Sequence, residues 1–221
     1  MATQADLKPT LEFLKALKRS NNRAWFQAHR AEYDQASQAF EAFVGALIDE
    51  LRPTEGLHGL TPKDCIFRIY RDVRFSKDKT PYKTHMGAYI APGGRKSMGV
   101  GYYIQVSPGG ESMIAGGMHE PDSKHLAKFR QIIDRDPKPF KKIVASKAFR
   151  DYFGGVEGEK LKTAPKGYAK DHPDIELLRM KQVTVYHRIP DRDLLAPGIV
   201  KETLKGFKLM KPLLTYLDSI N

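Results

Sequence analysis

Cysteine is almost missing from this chain. Cys65 is the only one in 221 residues. A lone thiol excludes an internal disulfide and any zinc or iron–sulfur centre built from several thiolates. Cys65 opens an apolar stretch, Cys65-Ile66-Phe67, and reads as a half-buried structural thiol rather than a nucleophile. Negative charge is scarce as well: 26 Asp and Glu stand against 37 Lys and Arg, a net charge of +11. Such an excess favours anionic partners, whether nucleic acid, phosphorylated metabolites or an acidic surface. No apolar run approaches membrane length, and the opening MATQADLKPT has no apolar signal region. A cytoplasmic protein without a membrane partner is therefore expected.

Catalytic signatures are also lacking. There is no phosphate-loop pattern GxxxxGK followed by Ser or Thr, and no GxSxG elbow. Gly99-x-Gly101 precedes an alternating stretch instead of joining strand to helix, so it is a poor dinucleotide fingerprint. His29, His58, His85, His119, His125, His172 and His187 are scattered, with no HExxH spacing. His119-Glu120 at a predicted strand end, with His85 on a neighbouring strand, is the most attractive polar grouping, but no metal and no cofactor are assigned. His29, one helical turn from Trp25, reads as a core-edge histidine bonded to backbone. No internal repeat or low-complexity tract interrupts the chain. Its 41% hydrophobic and 29% charged residues suit a folded globular protein, expected as one domain over residues 1–221.

Positive charge is concentrated in one place. In FRIYRDVRFSKDKTPYKTHMGAY, from Phe67 to Tyr89, six cations (Arg68, Arg71, Arg74, Lys77, Lys79 and Lys83) meet only Asp72 and Asp78. Phe67, Ile69, Val73 and Phe75 alternate with polar residues, which predicts an extended strand with these four facing inward. Arg71 falls on the same inward face, so its guanidinium must find a carboxylate or carbonyl partner there. Ser76 to Thr80 has no apolar member and is predicted to be loop. Pro81 fixes its own φ and keeps Thr80 extended.

Two readings of these cations stay open. In one, Asp72 and Asp78 neutralise neighbouring Arg and Lys, and the loop is a salt-bridged clasp. In the other, Arg71 and Arg74 fork onto a phosphate or similar anion. Lys77, Lys79 and Lys83 then supply further donors, and Tyr82 lines the wall. A small anionic ligand is favoured over nucleic acid. An enzyme acting on a phosphorylated metabolite or nucleotide, using the same cations, remains an alternative.

The string RDVRFSKDKTPYK resembles the hallmark of a family of uncharacterised bacterial and fungal proteins that share a domain of unknown function. NNRAWFQAHRAEY, GYAKDHPDIELLRMK and LLTYL resemble the same family, so the likeness extends over nearly the whole chain. It implies one domain of mixed helices and strands. It brings no activity, cofactor or catalytic residue.

Taken in order, the chain predicts a first helix capped by Thr10 and a long second helix over 22–51, capped by Asn22 and ended at Pro53. Strands are predicted over 66–71, 84–91, 99–106 and 112–118, punctuated by Gly93-Gly94 and Pro108-Gly109-Gly110. Helices follow, one capped by Asp122, one started by Pro137 and one capped by Asp171. Val183, Val185 and His187 suggest a further strand. A last helix spans 197–218, with Val200, Leu204, Phe207, Met210, Leu214 and Leu217 as its seam. Strands clustered between helices at both ends of the chain predict an α+β fold, an antiparallel meander covered by long amphipathic helices.

Overall fold

The computed structural model describes residues 5–220. Its fold is α+β: ten α-helices among the described residues and a four-stranded antiparallel meander in the order β1-β2-β3-β4. Two units divide the chain, one of residues 1–97, 102–114 and 188–205, the other of 98–101, 115–187 and 206–221.

The first unit begins with α1, Lys8–Arg19, which buries Leu11, Phe13, Leu14 and Leu17. Thr10 does not cap it. Its hydroxyl is buried and donates to the Ala36 carbonyl (2.7 Å), tying α1 to α3. Asn22 does cap α2, Arg23–Ala28, accepting from the Trp25 N–H at 2.9 Å. The predicted single helix is interrupted at His29, and α3 runs over Arg30–Glu55. At the break the His29 ring donates from Nδ1 to the Trp25 carbonyl (2.8 Å) and stacks on the indole. Pro53 does not end α3: it is accommodated in the last turn, and Gly56 terminates the helix in left-handed geometry. A short α4, Pro62–Cys65, leads to the basic segment.

Strands β1, Met86–Ile90, and β2, Tyr102–Val106, pair antiparallel with Met86 opposite Val106 and Ile90 opposite Tyr102. Met86, Ala88, Ile90, Tyr102, Ile104 and Val106 are buried. The alternation therefore sets one face of both strands into the core, as a period of two requires. On the other face Gly87 pairs with Gln105, and Tyr89 with Tyr103. Strand β3 covers Ser112–Met118. In the turn before it, the N–H groups of Gly109 and Gly110 donate to the Asp191 carboxylate (3.2 and 2.8 Å), which also meets Lys15.

The predicted strand over 66–71 is not a member of the sheet. Only two isolated bridges occur there, Ile66 with Ala88 and Tyr70 with Tyr82. Pro81 has no N–H to offer a ladder, and the chain bends at Ile69. The fourth strand is instead β4, Val183–Ile189.

In the second unit Asp122 caps α5, Ser123–Arg135, accepting from the N–H groups of Lys124 and His125. Helices α6, Lys138–Ala145, and α7, Lys147–Phe153, follow. Asp174, not Asp171, precedes α8, Ile175–Leu178, and pairs with Lys141. After α9, Asp191–Leu194, which belongs to the first unit, α10 covers Ile199–Asp218. Within the second unit Phe129, Ile133, Phe140, Phe207, Met210 and Leu213 are fully buried. Gly116 of β3 is needed for close packing: a Cβ there would strike the Met210 sulfur and stand 2.9 Å from the Gly101 carbonyl.

Two substitutions probe this packing in opposite directions. Gly116→Ala is expected to lower the melting temperature, by about 1–3 kcal/mol of stability, because the Gly101 carbonyl belongs to backbone and cannot swing away. Thr203 is buried, and its hydroxyl has no hydrogen-bond partner among the described residues. Thr203→Val keeps the shape and removes the stranded hydroxyl, and is expected to raise stability by about 1 kcal/mol. Thermal or denaturant unfolding of the two variants measures both.

Candidate binding surface

The basic segment belongs wholly to the first unit, and most of its charge is spent internally. Arg71 is bonded to the Asp78 carboxylate and to the Thr80 hydroxyl, with weaker contacts to the Thr80 carbonyl (3.3 Å) and Ser76 Oγ (3.4 Å). The expected partner is thus present, but the side chain is 25% exposed, so the guanidinium lies at the protein's edge and not in the core. Asp78 also accepts from the Thr80 N–H at 2.9 Å. That N–H, the Arg71 guanidinium and the Thr80 hydroxyl together hold the Asp78 carboxyl down at about 2.

Arg74 is 76% exposed and clasps Asp72 through two nitrogens, Nη2 to Oδ2 at 2.7 Å and Nε to Oδ1 at 3.0 Å. Lys79 donates to the Val73 carbonyl (2.9 Å). Arg71, Arg74 and Lys79 therefore do not converge on a common point: each closes a turn of its own segment. Ser76 contacts Arg71.

Tyr82 is turned inward, into an aromatic cluster. It is 5% exposed and stacks on Phe26 with ring centroids 4.0 Å apart. Its backbone is gripped from both sides by the Asn21 side chain, which donates from Nδ2 to the Tyr82 carbonyl (2.9 Å) and accepts from the Tyr82 N–H (3.2 Å). Asn21 thus replaces the strand neighbour that the broken ladder cannot supply. Backbone bonds from Arg71 N–H to Pro81 and from Lys83 N–H to Ile69 complete the attachment (2.9 and 2.8 Å).

The remaining cations are placed differently. Lys77 is exposed. Lys83 is half-buried, its Nζ 5.5 Å from the centre of the Phe67 ring. Among the described residues neither forms an ion pair, and nor does Arg68, although Asp72 lies within its electrostatic reach. Burial, and then the Arg68 charge, push the Lys83 ammonium below its ordinary range. Burial and Lys83 do the same to the neighbouring His85 imidazole. Arg68 and Lys83 are thus a pair of like charges, with the His85 imidazole beside them biased toward its neutral form, and none of the three has a carboxylate in contact among the described residues. Phe67 leans on Tyr103 (6.4 Å). Tyr103 donates to Gln105 Oε1 (3.0 Å), and its ring occupies the space that a side chain at Gly87 would take. Burial raises the Tyr103 hydroxyl to about 12, so it stays a donor.

Sequence reasoning puts Arg71, Arg74, Lys77, Lys79, Lys83 and Tyr82 at the site, places His85 only beside His119-Glu120, and gives Arg68 and Asn21 no role of their own. Arg68 was visible only as one charge among six. Asn21 had a signal, the pair Asn21-Asn22, of which one member caps and the other clamps. Phe67 and Phe75, expected to face inward, are exposed, and Phe75 lies beyond the bend at Ile69, which ends the alternation. His119 and Glu120 lie 4.0 Å apart, both exposed. Among the described residues no group of three or more His, Cys, Asp or Glu is disposed to hold a metal ion. Cys65 is buried, its thiol raised to about 11 mainly by burial, as suits an inert side chain.

The Asp78 network gives the clasp a pH signature. A carboxyl held below its unfolded value of 3.8 adds stability that is complete above that value and is lost as pH falls toward about 2. Asp78→Asn is therefore expected to melt below wild type at neutral pH, and the gap should close between about pH 4 and pH 2. Parallel thermal melts of both proteins across that range provide the check.

A family model described as conserved hypothetical protein, DUF2461, matches residues 9–216. No curated protein matches the chain, and no solved structure does. With the match running through nearly the whole chain, from α1 to the last turns of α10, the protein belongs to the DUF2461 family of conserved hypothetical proteins.

Proposed function

We propose that the first unit binds a phosphate-bearing ligand through Arg68, Lys77 and Lys83, with His85 beside them. In this reading Arg71–Asp78 and Arg74–Asp72 are the clasp that shapes the segment, not the groups that meet the ligand. The observation that carries it is the contrast in pairing. The clasp cations have carboxylate partners, whereas burial and then the Arg68 charge disfavour the Lys83 ammonium, and no described carboxylate is bonded to Lys83 or Arg68. An arriving anion relieves that repulsion and finds one ammonium already half-desolvated, where a charge–charge contact is stronger than in water. The family match, running across both units, supports treating the chain as one functional domain. The single unpaired cysteine supports a cytoplasmic setting.

Inorganic pyrophosphate and polyphosphate are the simplest probes. Either should raise the melting temperature at low ionic strength, because a ligand of the native state stabilises it by mass action. The shift should shrink as salt is added. Arg68→Gln combined with Lys83→Gln should remove the shift. Lys124→Gln combined with Arg135→Gln, which deletes the same charge from the second unit, should leave it in place. No shift in the wild type, or equal shifts in both double variants, would reject the site.

A further inference from the structure

We infer that the phosphate-bearing ligand is single-stranded nucleic acid. The inference rests on the phosphate site proposed above and adds the bases to it. Five large hydrophobic side chains are exposed among the described residues, and three of them, Phe67, Tyr70 and Phe75, fall within the nine residues from Phe67 to Phe75. They are 36%, 49% and 96% exposed. This is the same segment that carries the densest positive charge in the chain.

The rings alternate with cations. Arg68 follows Phe67, Arg74 precedes Phe75 with its guanidinium 5.9 Å from the ring centre, and Lys77 lies two residues beyond. Two of the rings are braced from behind. Tyr70 leans on Phe26 and Tyr82, with centroids 6.2 and 5.4 Å away, and Phe67 leans on Tyr103 with Lys83 over it. The clasp fixes the backbone between them, since Arg71 joins the two ends of the loop at Asp78 and Thr80. Rings held in advance lose little freedom when a base stacks on them.

Single strands are bound in this manner: unstacked bases lie on aromatic faces while the phosphates follow a line of cations. A duplex hides its base faces and would use only the charges. A mononucleotide has one base for three rings. An anionic membrane would use the same cations, but it calls for a continuous apolar face, and here Arg68, Asp72 and Arg74 separate the rings.

Fluorescence anisotropy with a labelled oligothymidylate of about twelve residues tests this against three other probes: its duplex with oligoadenylate, polyphosphate of similar length, and vesicles containing phosphatidylserine. The wild type should bind the single strand about tenfold or more tighter than polyphosphate. Phe75→Ala and Tyr70→Ala should each weaken oligothymidylate about tenfold, the scale of one lost base–ring stack, and leave polyphosphate unchanged. Phe75 is almost fully exposed, so its replacement cannot disturb the core; circular dichroism verifies the fold of the Tyr70 variant. Equal affinity for oligothymidylate and polyphosphate, with no effect of either ring, overturns this inference while sparing the phosphate site. Tighter binding to the duplex, or to vesicles in a Phe75-dependent way, overturns it as well. Binding to none of the four overturns both readings.

Discussion

The fixed point of the first unit is the contact of Arg71 with Asp78 and Thr80. It spans the base of a loop with several like charges, no apolar side chain in the core and no regular ladder to either side, in which the Arg74–Asp72 pair and the Lys79 bond to the Val73 carbonyl close only local turns. Between Arg71 and Thr80 the chain would spread under its own repulsion if this cation were not neutralised at once. Asp78 meets that need with three donors, which is why its carboxyl is held so far down. The partly exposed position matters too. A fully buried ion pair costs much in desolvation, whereas at the edge of the protein the pair keeps some water and still fixes geometry.

The clasp alone would be a loose appendage. It is joined to the helical layer by Asn21 and Tyr82, one through backbone bonds and the other through its ring on Phe26. Phe26 stands in α2, which Asn22 caps, so two adjacent asparagines link helix start and loop end. Phe13 and Tyr33 extend the aromatic cluster into α1 and α3. A displacement of α2 is therefore felt at Tyr82, and through Tyr82 at its bridge partner Tyr70.

How much of this was legible in the sequence depends on the range of the interaction. The helices α1, α5, α6, α8 and α10, the strands β1 to β4 and the caps at Asn22 and Asp122 follow from local periodicity and side-chain chemistry, and these were readable, whereas the short helices α4, α7 and α9 were not. The breaks were not. Residues 66–71 alternate like a strand, yet a ladder needs a partner with free N–H groups, and the partner contains Pro81. Phe75 obeyed the alternation in sequence and lies in solvent, because a pattern of side chains carries no information about where the backbone bends. The pairing of Arg71 with Asp78 was foreseeable as one of several pairings. Choosing it over Asp72 required Thr80, whose hydroxyl and N–H orient the carboxylate.

Charge counts mislead in the same way. A net charge of +11 and six cations in one segment suggest a single anion cradle with Arg71, Arg74, Lys77, Lys79 and Lys83 as its ligands. The geometry divides them by partner. Arg71 and Arg74, whose forked guanidinium groups match a carboxylate in two places, are taken by the two aspartates of the segment. Lys79 is taken by a backbone carbonyl. In the proposed reading, what meets a ligand is the half-buried ammonium of Lys83 with the Arg68 guanidinium close enough to disfavour its charge, and the exposed ammonium of Lys77 elsewhere on the segment. Cations at more than one position of a segment accommodate an extended anion as readily as a compact one. Exposed rings between them favour the extended one, because each ring needs a planar partner of its own to leave water. The distribution of pairing, more than the amount of charge, thus argues for a polymeric ligand.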